Sequence, residues 1–406
     1  MYMHSNISLP GFEDAIILKT EVRGGQYLIH FEMPITTQVC PNCGEDTRRV
    51  HDYRWTKVKH LKMAERMTTL FYRKRRYACT CGKRFAEKNQ VVSPYQRYSN
   101  EWNQMAQIRS VKAKTFTEIA HQYGASVSTI IRRFDRIVPG KIKGETALPK
   151  VIAIDEFKGN AGGEKFQLII ADAVTKEPID ILPDRKKETI KAYLREHGAN
   201  VEMVVMDMSH SFKAAVQEAL DNPIIIADRF HFVRYIYWAI DRVRVRIQKE
   251  WNDYDRKKVK KKRHVFFKKP KDVTEKDQWY LKRYFSFSAE LKLAYQLKEQ
   301  FREWFELAKE NGAEKLKETK EFLLKFYEAV EEADIPEFQR SVKTLQNWQT
   351  EILNSFTFNY SNGFVEGLNN LTKVIKRNAF GYRRFDRLRA KILLTHQYKT
   401  VGNEIG

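Results

Sequence analysis

The sequence is poor in cysteine and has neither a long apolar run nor a hydrophobic leader. Only four of its 406 residues are cysteines, and all four lie within the first 81 positions. No stretch approaches the roughly 20 consecutive apolar residues that a transmembrane helix requires. The first six residues lack the basic and then apolar order of a signal peptide. These absences argue against a membrane-spanning or disulfide-stabilised secreted protein, so we expect an intracellular protein of the cytoplasm.

Basic side chains are abundant instead. The chain has 73 Lys and Arg against 51 Asp and Glu, which gives a formal net charge of +22 and a sequence pI of about 9.6. Such an excess favours a polyanionic partner, because each phosphate that is neutralised releases condensed counterions. Ribosome-associated and membrane-surface proteins share this composition, so charge alone does not identify the partner. The length predicts two or three domains.

The four cysteines form two closely spaced pairs. Cys40 and Cys43 enclose a Pro-Asn dipeptide and precede a glycine, a sequence typical of the tight turn in a zinc knuckle. Cys79 and Cys81 are one residue closer together than the usual spacing. Because tetrahedral Zn²⁺ takes four such ligands, the sequence predicts one structural zinc ion; four unrelated buried cysteines are the alternative. Two histidines are spare ligand candidates: His51 and His60.

A basic strand is predicted between the two cysteine pairs. Residues 66–77 alternate well enough for a strand and end in basic side chains interleaved with Tyr72 and Tyr77. We expect this cluster to contact phosphates. The alternative is a solvated strand edge, which basic side chains also protect from mispairing. The cluster comprises Arg73, Lys74, Arg75 and Arg76.

A helix-turn-helix is predicted within residues 100–140. Residues 115–124 form the first helix and end at Gly124, which suits a left-handed turn; Ser126 then caps a second helix. An apolar stripe on the second helix, made by Val127, Ile130, Ile131 and Phe134, leaves polar side chains for the DNA groove or the phosphates. These side chains are Ser128, Thr129, Arg132 and Arg133. Residues 139–144 follow as a predicted linker.

From residue 150 the pattern becomes that of an α/β domain. Three short strands are predicted at 151–155, 166–171 and 178–182, followed by helix 186–197, strand 203–206, helix 211–220 and strand 224–227. This order is expected of an RNase H-like domain. The segments expected along the chain are a β-rich start at 1–35, the zinc-binding module at 36–90, the helix-turn-helix at 100–140, the first part of the core at 150–234, an all-helical insertion at 235–350, and the final catalytic helix with the C-terminus at 351–406. The predicted fold class is therefore multidomain, α+β and α/β.

Three acidic residues stand where such a core would need them. Asp155 and Asp207 each end a buried apolar strand, and Glu366 begins a basic amphipathic helix. Phosphodiester chemistry commonly uses two Mg²⁺ (or Mn²⁺) ions about 4 Å apart, held by carboxylates. We expect Asp155 to bridge both ions, with Asp207 and Glu366 each serving one. An Asp at a strand end is also a common helix cap, and Asp207 is open to that interpretation.

An Asp-x2-His unit follows the last predicted strand. Asp228 and His231 are predicted to orient a catalytic group or the DNA; a purely structural cap is the alternative. Asp172 also ends a strand, whereas Glu156 is expected on the face opposite Asp155, because successive strand residues alternate.

These motifs together resemble the ISL3-family transposases of bacterial insertion sequences, which are DDE enzymes. The resemblance is strongest in the segment 362–370, Asn-Gly-x-x-Glu-Gly-x-Asn-Asn, and it continues through residues 373–377 and 381–385. The cysteine pairs, the helix-turn-helix, Asp155-Glu156, the Asp207 segment and the Asp-x2-His unit support it.

The resemblance implies that one region of the chain binds DNA and another carries out catalysis. The zinc and helix-turn-helix region would bind terminal inverted repeats. The RNase H-like domain would cleave the element ends and join their 3′-hydroxyls to target DNA, with Asp155, Asp207 and Glu366 as the catalytic triad and the four cysteines as zinc ligands. The helix after Glu366 would place positive charge beside the active site, on Lys373, Lys376 and Arg377. Joining two ends implies a homodimer or a higher oligomer.

Three other functions compete with this one. The first is a DNA-binding regulator with an inert, domesticated core, against which the intact acidic triple argues. The second is an RNase H-like nuclease or resolvase that acts on structured DNA, and the two-part DNA-binding region argues for sequence recognition instead. The third is a basic RNA scaffold, but the aromatic motifs of common single-strand readers are lacking.

Overall fold

The computed structural model describes residues 12–141 and 147–401, and the chain divides into two compact units. The first unit consists of the chain up to residue 143 with the short segments 378–380 and 397–406. The second consists of residues 144–377 and 381–396. Among the described residues, no helix combines the length and the apolar character needed to cross a bilayer.

The first unit is built on a sheet whose central strand is the predicted basic strand. Strand β6 pairs with β2 in parallel and with β5 and β7 in antiparallel fashion, while β1 pairs with β2 and the short strands β3 and β4 pair with each other. Ile29, Phe31, Val58 and Leu70 form much of the apolar core beneath it. The strands are β1 Ile16–Arg23, β2 Gln26–Glu32, β3 Gln38–Val39, β4 Asp46–Thr47, β5 Val50–Met63, β6 Arg66–Ala78 and β7 Arg84–Ala86.

Three helices complete the first unit: α1 Asn100–Lys112, α2 Phe116–Gln122 and α3 Val127–Lys141. The side chain of Thr115 caps α2, and Gly124 takes the left-handed conformation, with φ of +60°, as predicted for the turn. Helix α3 continues to Lys141, so the predicted linker begins inside the helix; residues 142–144 lie outside the described part. Val127 is exposed, which makes the buried stripe of α3 narrower than predicted.

The second unit contains a five-stranded sheet in the order β10-β9-β8-β11-β12. Strands β8, β9 and β10 are antiparallel neighbours, whereas β8, β11 and β12 run parallel. The predicted strands are all present, because each is a short apolar run that a doubly covered sheet can bury on both faces. The elements are β8 Val151–Phe157, β9 Gln167–Asp172, β10 Pro178–Leu182, α4 Lys187–His197, β11 Met203–Met206, α5 His210–Ala219 and β12 Ile224–Ala227.

Helices follow β12 up to the C-terminal helices α13 and α14. They do not form a separate body, because one apolar core joins sheet residues such as Ile152 and Val204 to Phe232, Trp304 and Trp348 of the helical segment. They are α6 Arg229–Ile247, α7 Asp253–Lys261, α8 Glu275–Phe287, α9 Ala289–Asn311, α10 Leu316–Ala333, α11 Pro336–Asn347, α12 Gln349–Thr357, α13 Gly363–Asn378 and α14 Phe385–Val401, with short 3₁₀ turns at Gln248–Glu250, Arg263–Phe267 and Pro270–Asp272.

Candidate active site and metal centres

Asp155 lies near the carboxyl end of β8, the middle strand of the sheet in the second unit. Its Oδ1 accepts the backbone N–H of Glu156 at 2.7 Å, and its Oδ2 accepts Nδ2 of Asn369 at 2.7 Å. Burial raises the pKa of this carboxyl to about 7, and the negative charge of Asp207 adds to the effect. Because burial and the nearby Asp207 disfavour the charged form of this carboxyl, a cation beside it would stabilise the carboxylate. Glu156 forms an ion pair with Arg185 instead.

The ends of β11 and β12 bring a second group of side chains together. Possible ligand atoms of Asp207, Asp228 and His231 all lie within 4.8 Å of one another. Nδ1 of His231 is 2.9 Å from Oδ2 of Asp207. Burial lowers the pKa of His231, but the hydrogen bond to Asp207 and the charge of Asp207 outweigh burial and raise it above its ordinary value. His231 is therefore held against the carboxylate of Asp207.

Asp228 occupies the N-cap position of α6 but does not cap that helix with its side chain. Its Oδ1 accepts the backbone N–H of Asn362 at 3.1 Å instead. Burial raises the pKa of the Asp228 carboxyl. Asp228 therefore joins the end of β12 to the start of α13.

Two asparagines hold α13 against the end of β8. Nδ2 of Asn362 donates to the carbonyl oxygen of Ile154 at 3.1 Å, and Asn369 donates to Asp155. Asn362 lies four residues before Glu366 and Asn369 lies three residues after it, in the i−4 and i+3 positions that share its side of a helix. Sequence reasoning quoted both residues in a motif but gave neither a role. Their spacing around Glu366 was the signal that could have found them.

Glu366 itself is exposed on α13. It does not belong to the compact group of Asp207, Asp228 and His231. Farther along the same side of the helix lie Lys373 and Arg377, both exposed. Lys376 points elsewhere, because its Nζ donates to the carbonyl oxygen of Lys158. Of the three basic residues predicted beside the site, two therefore remain accessible.

The ligand chemistry at these strand ends fits a hard divalent cation. Asp155, Asp207 and Asp228 supply carboxylate oxygens, and among the described residues only His231 forms an ion pair with any of them. The buried amide oxygens Oδ1 of Asn362 and Asn369 have no hydrogen-bond partner in the described part of the chain. Mg²⁺ and Mn²⁺ prefer such oxygen ligands, so the residues present fit such an ion.

The four cysteines converge as predicted. The Sγ atoms of Cys40 and Cys81 are 3.7 Å apart and those of Cys43 and Cys79 are 3.5 Å apart, and all four lie within 4.8 Å of one another. Each pair sits in a turn that a left-handed glycine closes: Gly44 after the first pair and Gly82 after the second. The tighter Cys-x-Cys spacing therefore still delivers both sulfurs to one point. His51 and His60 are not members of the cluster.

The basic cluster on β6 differs from the prediction. Arg75 is 1 % exposed, and its guanidinium lies 3.2 Å from a carboxylate oxygen of Glu32 and 3.4 Å from one of Glu87. Arg76 pairs with Asp52, and Arg73 lies 3.3 Å from Glu32. Since acidic residues neutralise these arginines, Arg75 is a structural residue and its predicted phosphate contact is wrong. Strand β6 as a whole lies inside its sheet, but residues 73–75 pair with β5 alone, because the pairing with β2 ends at Tyr72 and that with β7 begins at Arg76.

The helix-turn-helix likewise presents fewer polar side chains than predicted. Ser128 and Arg132 are exposed on α3. Thr129 is buried and hydrogen-bonds to Ser126 at the start of the helix, at 2.9 Å. Arg133 is buried, and its Nε donates to Asn103 on α1 at 2.7 Å. Thr129 and Arg133 share the buried side of α3 with Ile130 and Phe134, so of the four predicted residues Ser128 and Arg132 are the exposed ones.

Comparisons with known protein families agree with this arrangement along the chain. A family described as transposase, of the ISL3 group, matches residues 152–392. A family described as the zinc-finger of transposase IS204/IS1001/IS1096/IS1165 matches residues 36–81. A family described as the helix-turn-helix domain of transposase family ISL3 matches residues 87–138.

Individual proteins that resemble this chain include two transposases of low sequence identity. The chain is 24% identical over 369 residues to a Bordetella parapertussis protein named transposase for insertion sequence element IS1001, covering 87% of this chain and 88% of the relative. It is 23% identical over 274 residues to a Mycobacterium tuberculosis transposase for insertion sequence element IS1557, covering 60% and 59%. A Lactococcus lactis protein named ATP-dependent protease matches only 17% of this chain and 23% of its own length, at 39% identity.

Proposed function

The chain belongs to the ISL3 family of transposases, and we propose that it binds the terminal inverted repeats of an insertion sequence and carries out metal-dependent strand cleavage and 3′-OH strand transfer. The observation that carries this proposal is the meeting of Asp155, Asp207 and α13 at the carboxyl ends of β8 and β11, with Asn369 joining the helix to Asp155. The family itself is the one that the sequence motifs resembled.

The second unit has the strand arrangement expected of an RNase H-like core. Three antiparallel strands precede two parallel ones, and the first strand is in the middle. This topology supports the assignment of a DDE-type enzyme, since it places the first two carboxylates on adjacent parallel strands. The helices from α6 to α12 would then be an insertion between the fifth strand and the catalytic helix, packed into the same core.

Asp155, Asp207 and Glu366 would hold the catalytic Mg²⁺ or Mn²⁺ ions. Such ions lower the pKa of an attacking hydroxyl and stabilise the leaving oxygen. The protein's own part is positioning: Asn369 fixes Asp155, His231 fixes Asp207, and Asp228 with Asn362 fixes the start of α13. Glu366 would complete the site from its exposed position when DNA and metal are bound.

DNA recognition is assigned to both units. In the first, Ser128 and Arg132 of α3 would contact the repeat, and the four cysteines would hold one structural Zn²⁺. In the second, Lys373 and Arg377 would contact the strand that lies along α13. Joining two element ends calls for at least two copies of the chain in the active complex.

A cleavage assay tests the proposal. Labelled DNA that carries the gene's own flanks is incubated with Mg²⁺ and either wild type or Glu366→Gln, whose amide is a poor metal ligand of nearly the same shape. Glu321→Gln, an exposed glutamate on α10, is the matched control. We expect nicking at the element boundary by wild type and the control, and binding without nicking by Glu366→Gln.

Two results would contradict the proposal in different ways. Specific binding without cleavage by wild type, with Mn²⁺ also tried, would indicate a regulator with an inert core. Cleavage of branched DNA without regard to the flanking sequence would indicate a nuclease or resolvase.

A further inference from the structure

Helix α6 carries a row of large exposed side chains that the proposed chemistry does not use. Phe230, Arg234 and Trp238 follow one another at intervals of four residues, which places them on one side of the helix. Phe230 is 60% exposed and Trp238 is 42% exposed. The Arg234 guanidinium lies between the rings, with its carbon 5.6 Å from the centre of Phe230 and 4.6 Å from that of Trp238. We call these three residues the α6 ladder.

The α6 ladder is not part of the core. The other side of α6 is buried against the sheet and the neighbouring helices through residues that include Phe232, Ile236 and Ile240. Exposed aromatic rings in a row mark a binding surface more often than scattered apolar residues do. Arg242 follows Trp238 by one further turn and is also exposed, so the row continues with positive charge.

Arg234 is half-buried and forms no ion pair with a carboxylate among the described residues. Its Nε is buried without a hydrogen-bond partner within the described residues. One terminal nitrogen lies 3.4 Å from Nδ1 of His231, a group that provides no negative charge. Arg75 and Arg246, by contrast, each pair with two glutamates. The Arg234 guanidinium is therefore available to an anion from outside the chain.

The ladder begins at the edge of the carboxylate site. The Phe230 ring centre is 5.9 Å from that of His231, and His231 in turn contacts Asp207. A DNA strand whose scissile phosphate lies at the carboxylates would therefore have its neighbouring nucleotides within reach of Phe230.

We propose that the α6 ladder binds unpaired nucleotides next to the scissile phosphate, with Phe230 and Trp238 stacking on bases and Arg234 contacting the phosphate between them. This inference rests on the proposed function. Paired bases already stack on both faces inside a duplex, whereas unpaired bases offer a free face to aromatic rings. The ladder would thus favour DNA that is opened at the cleavage point.

Aromatic side chains and Arg are also enriched at protein interfaces, so a protein partner is the alternative that the test separates from DNA. The order of the side chains favours DNA. An alternating order of ring, cation and ring matches the alternation of base and phosphate along a single strand.

The test measures binding without added divalent metal, so that no strand is cut. Two DNA probes carry the gene's flanking sequence. One is fully paired, and the other has a few unpaired nucleotides at the boundary, including the fluorescent base 2-aminopurine. We expect wild type to prefer the open probe by on the order of tenfold and to change its 2-aminopurine fluorescence, as base stacking on aromatic side chains predicts.

Three variants make the test specific. Phe230→Ala and Trp238→Ala should each lower the ratio of open-probe to duplex affinity to about one without changing the duplex affinity. Trp238→Phe should retain part of the preference for the open probe. Trp279→Ala is the matched control, because Trp279 is 56% exposed on α8 beside Arg283, which is already paired with Asp255. It should behave as wild type.

The outcomes separate this inference from the proposed function. Two results would overturn the proposed role of the α6 ladder and leave the transposase proposal intact. One is cleavage at the boundary without any preference for the open probe. The other is a Trp238→Ala variant that changes only the oligomeric state. A preference that depends on Trp238 in a protein that never cuts at the boundary would support the ladder and overturn the proposed chemistry. Equal loss of duplex and open-probe binding in Trp238→Phe would also overturn the ladder.

Discussion

The two groups of possible metal ligands differ in how the chain brings them together. The cysteines come from two short turns, one between β3 and β4 and the other between β6 and β7, and all four sulfurs meet within 4.8 Å. The carboxylates come from three strand ends and a helix, and the contact that ties the helix to Asp155 joins residues 214 positions apart. Only Asp207, Asp228 and His231 are tightly grouped, while Glu366 stands outside them.

This difference matches two kinds of metal chemistry. A site closed by four thiolates leaves no position for a substrate and serves to hold a fold together. A site of carboxylates with an exposed member leaves room for a substrate's oxygen atoms. We therefore expect the first unit to unfold when its metal is removed, whereas the second unit should stay folded and lose only its activity.

The largest expected effect is that of Cys40→Ser. Loss of one thiolate should release the zinc and unfold the first unit, because binding energy at such sites is largely folding energy. The second unit should keep its own melting transition. Zinc content and calorimetry measure both, with His51→Ala as a control, since this exposed histidine lies outside the cluster. Zinc retained at wild-type level in Cys40→Ser would contradict the four-cysteine site.

The stability of the first unit should also depend on pH through one buried histidine. Burial lowers the pKa of His60 to about 4, although Glu101 lies 3.5 Å from its Nε2; Ser99 contacts its Nδ1 at 2.8 Å. In the unfolded chain His60 therefore becomes protonated near pH 6.5, whereas in the folded unit it stays neutral until the pH approaches 4. Stability is complete above pH 6.5 and falls as the pH drops towards 4, by at most about 3 kcal/mol.

Denaturant unfolding of the first unit at pH 7 and pH 4.5 measures this loss, with His60→Gln for comparison. Acid release of zinc affects both proteins, so the difference between them isolates the histidine. An identical pH dependence in both would show that His60 is protonated in the folded state.

The smallest of these effects is expected for Asn369→Ala, which removes the hydrogen bond to Asp155. Residues that orient metal ligands typically contribute about 10- to 100-fold to activity, so cleavage should fall by that factor while DNA binding and folding persist. Asn370→Ala, its exposed neighbour, is the control. If both variants cleave alike, α13 does not position Asp155.

Sequence reasoning succeeded where local patterns decide the structure. Apolar runs that end at Asp155 and Asp207 specify strands and their carboxyl ends, and the cysteine turns specify their own geometry. Sequence reasoning failed where the alternation along a strand determines which side chains are buried. On β6 the buried side changes from Leu70 and Tyr72 to Arg75 and Tyr77, and a one-residue change of this kind inverts which side chains face solvent.

Other features were missed because they depend on tertiary packing. Arg133 and Thr129 are buried by α1 and by the start of α3, which no spacing in α3 alone reveals. The α6 ladder lies in a helix whose sequence is aromatic throughout, so its exposed side can be identified only when the core is known. The motif predicts Glu366 and its spacing points to Asn362 and Asn369, but the atoms that these asparagines contact on β8 are seen only in the structure.

The apolar core shared by the sheet and the helices from α6 to α12 bears on how copies of such a gene decay. A frameshift or stop codon shortly after Arg229 would remove the helices that share the core of the sheet. A truncated product of this kind should be cleared by cellular proteases, which act on unfolded chains. Damaged copies of this kind would then supply no stable second unit.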